Sequence, residues 1–117
     1  MHTLKNQIEH LNQLVLDGKA LEAFEKYYDD EVVMQENELN PTIGKDANRK
    51  REIDFFSSIT EFRRAKVLDV AVGENSSYVK WHFDYTHKDW GVRNYTQVSV
   101  QEWKNGKIVK EQFFYGN

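Results

Sequence analysis

Residues 77–87 read Ser77-Tyr78-Val79-Lys80-Trp81-His82-Phe83-Asp84-Tyr85-Thr86-His87. Val79, Trp81, Phe83, Tyr85 and His87 occupy one parity, and Lys80, His82, Asp84 and Thr86 the other. This is the alternation of a strand with one apolar and one polar face. The aromatic parity must be covered by other elements, so the stretch predicts a half-buried sheet rather than an isolated hairpin. The pattern continues in both directions. Arg64–Val72 precedes it, turning at Gly73–Ser76. Val92–Trp103 follows after a turn at Lys88–Gly91, and Asn105-Gly106, a strong hairpin signal, leads into Lys107–Tyr115.

Toward the N-terminus the period changes from two to 3.6. Leu4, Ile8, Leu11 and Leu14/Val15 mark an amphipathic helix over 3–16, stopped at Asp17-Gly18. Ala20, Leu21, Phe24 and Tyr27/Tyr28 share a face of a second helix, ending at Asp29-Asp30. A short strand begins at Val32 and runs to Asn37. Glu38–Gly44, with the only proline, Pro41, reads as a loop. Asp46 is placed to cap a third helix over 47–59, whose buried stripe is expected to be Ile53, Phe56 and Ile59 with Phe55 beside it. The order is helix, helix, strand, helix and four strands, in one domain over 1–117.

Composition narrows the function classes. The chain has 117 residues, no cysteine and a net charge of −3. Disulfides, thiolate nucleophiles and cysteine metal sites are thereby excluded. A mildly acidic domain is the wrong sign for a dedicated nucleic-acid binder. No apolar run approaches the roughly 20 residues of a membrane helix, and the polar start lacks the apolar stretch of a signal peptide; a cytoplasmic protein is expected. Aromatic residues make up 14%, and ten of them, including all three tryptophans, fall between Tyr78 and Tyr115.

The order of elements, with "DGKALEAFEKYYDDEVV", Pro41 leading into "GKDA" and the third helix, "VKWHFDYTH" and "WKNGKIVKEQF", resembles the SnoaL-like branch of the nuclear transport factor 2-like superfamily across essentially the whole chain. The resemblance implies an α+β fold: three helices packed on a strongly curved antiparallel sheet that forms a cone-shaped pocket. It also implies a symmetric homodimer through the outer sheet face, where Val98 and Val100 oppose the inward set, with Tyr78 and Tyr95 nearby. Fold does not carry function, and such proteins include isomerases, dehydratases, cyclases and non-catalytic modules. Set against the ketosteroid isomerases of this superfamily, the oxyanion-hole tyrosine falls at Leu11, the general base at Gln35 and the second acid at Ser99. All three roles are vacant, so that chemistry is not expected; an aromatic at matching spacing survives at Tyr27.

The pocket expected is lined by Tyr27, by Trp81, Phe83, Tyr85 and Phe56, by Ser99, Gln101 and Trp103, by Phe113 and Tyr115, and by Gln35 and Asn37 beside Val33. Gln97 joins the same parity. Its ligand is a small, largely apolar molecule with polar tethers. No cofactor, metal, nucleic-acid or membrane partner is expected. Two side chains are candidates for acid/base work. Glu111, between Ile108 and Phe113, would be desolvated and raised in pKa if it faces inward. The alternatives are a register in which it faces water, or a structural carboxylate satisfied by Tyr or Trp donors. His87 is the group most easily moved across neutral pH; the alternative is an idle, solvated strand end.

Other clusters read as structural. His82 and Asp84 sit on the polar parity with no serine or cysteine elbow. The carboxylates among Asp29–Glu38 lack calcium-loop spacing, and His2, His10, His82 and His87 lack the spacing of a zinc pair. The basic run in 45–66, including Lys45, Arg49, Lys50 and Arg51, reads as an exposed helix face laced with ion pairs.

Overall fold

The computed structural model describes residues 3–116; His2 lies outside them. Helix α1 spans Leu4–Leu16, with the Thr3 hydroxyl accepting from the Asn6 N–H at 3.1 Å as an N-cap. Gly18, with φ of 78°, follows it. Helix α2 spans Ala20–Tyr27, β1 Tyr28–Glu36, β2 Thr42–Ile43 and α3 Lys45–Ser57. Four long strands complete the chain: β3 (Ile59–Val72), β4 (Ser76–His87), β5 (Gly91–Lys104) and β6 (Lys107–Tyr115). Among the described residues, no helix is long and apolar enough to cross a membrane.

One six-stranded sheet has the order β2-β1-β6-β5-β4-β3. Four of its pairings are antiparallel, but β1 runs parallel to β6, so the sheet is mixed rather than purely antiparallel. β1 joins the sheet beside the C-terminal strand, and α3 is part of the long connection that lets it do so. β3 slips register against β4 between Ile59 and Glu61, Phe62 and Arg64, and Val67 and Asp69. Such bulges bend a strand, and here they curl the sheet's edge round the helices.

The core lies on the concave face. Ile8, Leu11 and Leu14 of α1 and Ala23, Phe24 and Tyr27 of α2 meet Val32, Met34, Val79, Trp81, Trp103 and Ile108. Phe24 stacks on Tyr28 with ring centres 4.9 Å apart, and Tyr27 meets Trp103 edge-on at 6.0 Å.

Three expectations need correcting. β1 begins at Tyr28, so Asp29-Asp30 lie in the strand rather than ending α2. Within β1, Val32 and Met34 are the buried residues, while Val33 and Gln35 are only half-buried. Val32-Val33-Met34 is apolar in both parities, so periodicity could not choose between them. Helix α3 starts two residues early, at Lys45 with Gly44 before it, and its inner face is not the apolar stripe. Ile53 is 47% exposed and Phe56 37%, whereas Asn48 is fully buried. The Asn48 amide donates to the carbonyls of Gly44, Thr42 and Val32 at 2.9, 3.0 and 3.3 Å, pinning α3 to β1 and β2.

Candidate functional site

Register places the inward residues of the long strands in rows. Ser77 pairs with Gln101 and Gln101 with Glu111; Val79 pairs with Ser99 and Ser99 with Phe113; Trp81 pairs with Gln97 and Gln97 with Tyr115. β1 adds Met34 opposite Glu111 and Glu36 opposite Phe113. Glu111 is therefore on the concave face, 3% exposed.

Its surroundings form a directed chain of hydrogen bonds. The Trp103 indole N–H donates to Ser77 Oγ at 2.9 Å, and Ser77 donates to Gln101 Oε1 at 2.6 Å. Gln101 Nε2 donates to Glu111 Oε2 at 2.7 Å, and the Tyr28 hydroxyl donates to Glu111 Oε1. Burial pushes the Glu111 carboxyl up to about 7, against the hydrogen bonds from Tyr28 and Gln101 that favour its charged form. The charge of Glu52 pushes it further up and that of Arg51 holds it down. The buried Tyr28 hydroxyl is raised well above the usual phenol range by burial and then by Glu111.

Arg51 and Glu52 arrive from α3. The Arg51 guanidinium bridges two carboxyls, with Nη1 3.2 Å from Glu36 Oε1 and Nη2 3.3 Å from Glu52 Oε1. It also lies over the Phe113 ring, 5.9 Å from its centre. Burial raises Glu52 to about 7; Arg51 opposes this and Glu36 adds to it. Glu36 is raised by burial against the pull of Arg51. Glu36 Oε2 and Arg51 Nε are buried without a hydrogen-bond partner. Among the described residues, no group of three His, Asp or Glu is arranged to hold a metal ion.

Beyond this polar patch the concave face is aromatic. Trp81 stacks on Phe83 with centres 5.2 Å apart. The hydroxyls of Tyr85 and Tyr95 are 2.8 Å apart, and the rings of Tyr95 and Tyr115 are 5.4 Å apart. Phe83, Tyr95, Phe113 and Tyr115 are half-buried, unlike Trp81 and Tyr85, which are buried. Burial raises the Tyr95 and Tyr115 hydroxyls above their ordinary range. Ser99 is buried and accepts from Gln97 Nε2 at 3.1 Å. Two clefts open on the surface, the second reaching Trp103. One of about 410 Å³ lies between Asp30, Ile43 and the start of α3, and one of about 150 Å³ lies between Leu4, Glu74 and Trp103.

The remaining candidates are placed as follows. His87 is buried, stacked on Trp90 with centres 3.7 Å apart, and its Nδ1 accepts from the Asp89 N–H at 3.1 Å. It stands ten residues along β4 from Ser77, which is about 33 Å of strand, so His87 and Glu111 occupy opposite ends of the sheet and not one centre. Gln35 turns from the interior and donates to the Leu39 carbonyl at 2.8 Å. Asn37, with φ of 49°, binds the edge of β6: its Oδ1 accepts from the Tyr115 N–H at 3.0 Å, and its carbonyl from Gln112. Phe56 packs against Phe55 on the outer side of α3, and Phe55 is the ring that meets Tyr85. Tyr27 is occupied at the helix seam by a 2.5 Å hydrogen bond with His10 Nδ1. On the outer face, His82 pairs with Asn94 and Asp84 with Arg63, not with one another.

Tyr28, Glu36, Arg51 and Glu52 are absent from the residues read as functional in the sequence. The sequence signal for Arg51 and Glu52 is the charged face of α3, away from the stripe expected at Ile53, Phe56 and Ile59.

A family model of the SnoaL-like domain matches residues 3–115. The chain belongs to the SnoaL-like family. Solved SnoaL-like and related structures share the fold. A proposed SnoaL-like polyketide cyclase of Mesorhizobium loti, its description also giving carbohydrate phosphatase in brackets, is 25% identical, with a TM-score of 0.88 over 97% of this chain and 100% of that one. A nuclear transport factor 2-like protein of unknown function from Burkholderia xenovorans is 17% identical, with a TM-score of 0.77 over 97% and 82%. A protein of ketosteroid isomerase-like fold from Catenulispora acidiphila, solved with trimethylamine, is 8% identical, with a TM-score of 0.75 over 93% and 85%. No curated protein matches the SnoaL-like chain described here.

Proposed function

We propose that this SnoaL-like protein binds a small, largely apolar molecule carrying a hydroxyl or carbonyl group against its concave face, and performs acid/base chemistry on it. The reaction class is isomerisation, dehydration or cyclisation without a cofactor. The observation that carries the reading is a pair of inward carboxyls at one end of the concave face, Glu111 and Glu52, each raised to about 7 by burial. A carboxyl half-protonated near neutral pH can both give and take a proton. The membership of the M. loti relative among proposed cyclases agrees with this class.

The test is a fluorescence screen of apolar alcohols and ketones, read through Trp81 and Trp103 on the concave face. A binder should quench emission, and Glu111→Gln should alter the pH dependence of its conversion. If no such compound changes the emission, the reading fails.

A second reading, a non-catalytic binding module, is favoured by one observation: both Glu111 oxygens already have donors. It predicts binding with no turnover and no effect of Glu111→Gln on affinity.

We also propose self-association through the outer sheet face. There Tyr78, Val98 and Phe114 are exposed on adjacent strands, with Lys80, Val98 and Phe114 in one row. An apolar stripe of this kind marks an interface. Tyr95 is not part of it, because it turns inward to Tyr85.

A further inference from the structure

Resting on the concave-face reading, we propose that Glu52 of α3, held by Arg51 against Glu36, is the catalytic carboxyl presented to the bound molecule, and that Glu111 behind it is a positioning residue. Four observations carry this. Glu111 has a donor on each oxygen, Tyr28 and Gln101, and is 3% exposed, so it is shielded from a ligand. The Glu52 side chain is 18% exposed, and its hydrogen bond comes from Arg51 through one oxygen only. The guanidinium that fixes it also fixes Glu36, so the two carboxyls are held on either side of one cation. Glu36 Oε2, an acceptor, and Arg51 Nε, a donor, are buried without partners in that same group. Arg51 Nε, an unused donor, suits a ligand hydroxyl oxygen, and leaves that hydroxyl's proton for the Glu52 oxygen that Arg51 does not engage.

The charged and titratable groups around Glu52 are Arg51 on its own helix, Glu36 and Tyr28 on β1, and Glu111 on β6, with Tyr115 beyond Glu36 and Arg51. Arg93 and Tyr95 on β5 and Tyr85 on β4 lie farther out, around Tyr115. Among the described residues, Arg51 is the cation acting on the three carboxyls. It favours ionisation of Glu52, and Glu36 opposes it. Above the Glu52 titration the carboxylate takes the hydroxyl proton of the bound molecule; the electron pair stays on the ligand oxygen, and Glu52 becomes neutral.

The probe is 2-naphthol, an apolar bicycle with one hydroxyl that becomes strongly acidic when excited. It transfers its proton to a nearby carboxylate and then emits as naphtholate. In wild type at pH 8 the bound probe should show naphtholate emission, lost as pH falls through about 7 as Glu52 protonates. Glu52→Gln should abolish that emission while Glu111→Gln keeps it. Glu52→Asp, which keeps a carboxyl in the same place, should restore part of it and controls for folding. Arg51→Gln should move the midpoint upward, because the cation favouring the carboxylate is gone. Emission that survives in Glu52→Gln and is lost in Glu111→Gln overturns the assignment but leaves the concave-face reading intact. Failure of 2-naphthol to bind wild type removes both.

Discussion

Replacing Glu111 by glutamine should make the protein less sensitive to alkaline conditions. Glu111 is buried and raised to about 7 in the fold, from the ordinary glutamate value of 4.5. An acid raised on folding binds more protons in the native state than in the unfolded chain between those two values. Stability therefore falls as pH rises through this window: the contribution is fully present below 4.5 and gone above 7. Integrated between pH 5 and pH 8, one such group accounts for about 2.5 kcal/mol of lost stability. The glutamine side chain is nearly isosteric and carries no charge at either pH. It keeps an acceptor for Tyr28 but sets an amide against the Gln101 amide, so at pH 5 the variant should be less stable than wild type by about 1–2 kcal/mol. At pH 8 that deficit should vanish or reverse. The assay is urea denaturation followed by tryptophan fluorescence at several pH values. Parallel pH dependence in wild type and Glu111→Gln would refute the reasoning, because it would mean that Glu111 ionises equally in both states.

Two further outcomes are expected. Asn48→Ala should destabilise by about 2 kcal/mol in the same denaturation assay, since a fully buried amide that donates to three carbonyls is removed. Val98→Lys should leave the fold intact and shift the mass measured by light scattering at micromolar concentration from dimer to monomer; a wild-type monomer at that concentration would dispose of the outer-face interface.

The parts of the fold that were legible are those where one period dominates. β4 alternates without a break from Ser77 to His87, and Gln101 and Ser99 on β5 pair with its inward parity; the face of Glu111 stayed open in the sequence, because the register shifts at Glu102/Trp103 before β6. Helix α1 shows its stripe in the same way. α3 was misread because its inner face is polar. Asn48, Arg51 and Glu52 turn inward and Ile53 and Phe56 outward, so the apolar residues mark the wrong side. An inward-facing polar helix face is what a polar site requires and what a search for apolar stripes rejects. β1 was misread by one residue because Val32, Val33 and Met34 satisfy both parities. The carboxyl–guanidinium group was invisible for a different reason: Glu36, Arg51 and Glu111 belong to three elements, and only the parallel pairing of β1 with β6 and the seating of α3 bring them together. Tyr27 and Tyr28 are adjacent at the end of α2. The first closes the helix seam against His10, and the second, as the first residue of β1, reaches Glu111; the exact end of a helix decides which does which.

The most direct test of the central claim, a concave face holding carboxyls that titrate near neutrality, is a carbon-13 NMR titration of the glutamate side-chain carboxyls from pH 4 to pH 9, assigned with the Glu52→Gln and Glu111→Gln variants. The account predicts that the Glu111 and Glu52 resonances move with midpoints near 7, well above those of the exposed glutamates. Midpoints for both at the ordinary value near 4.5 would contradict it.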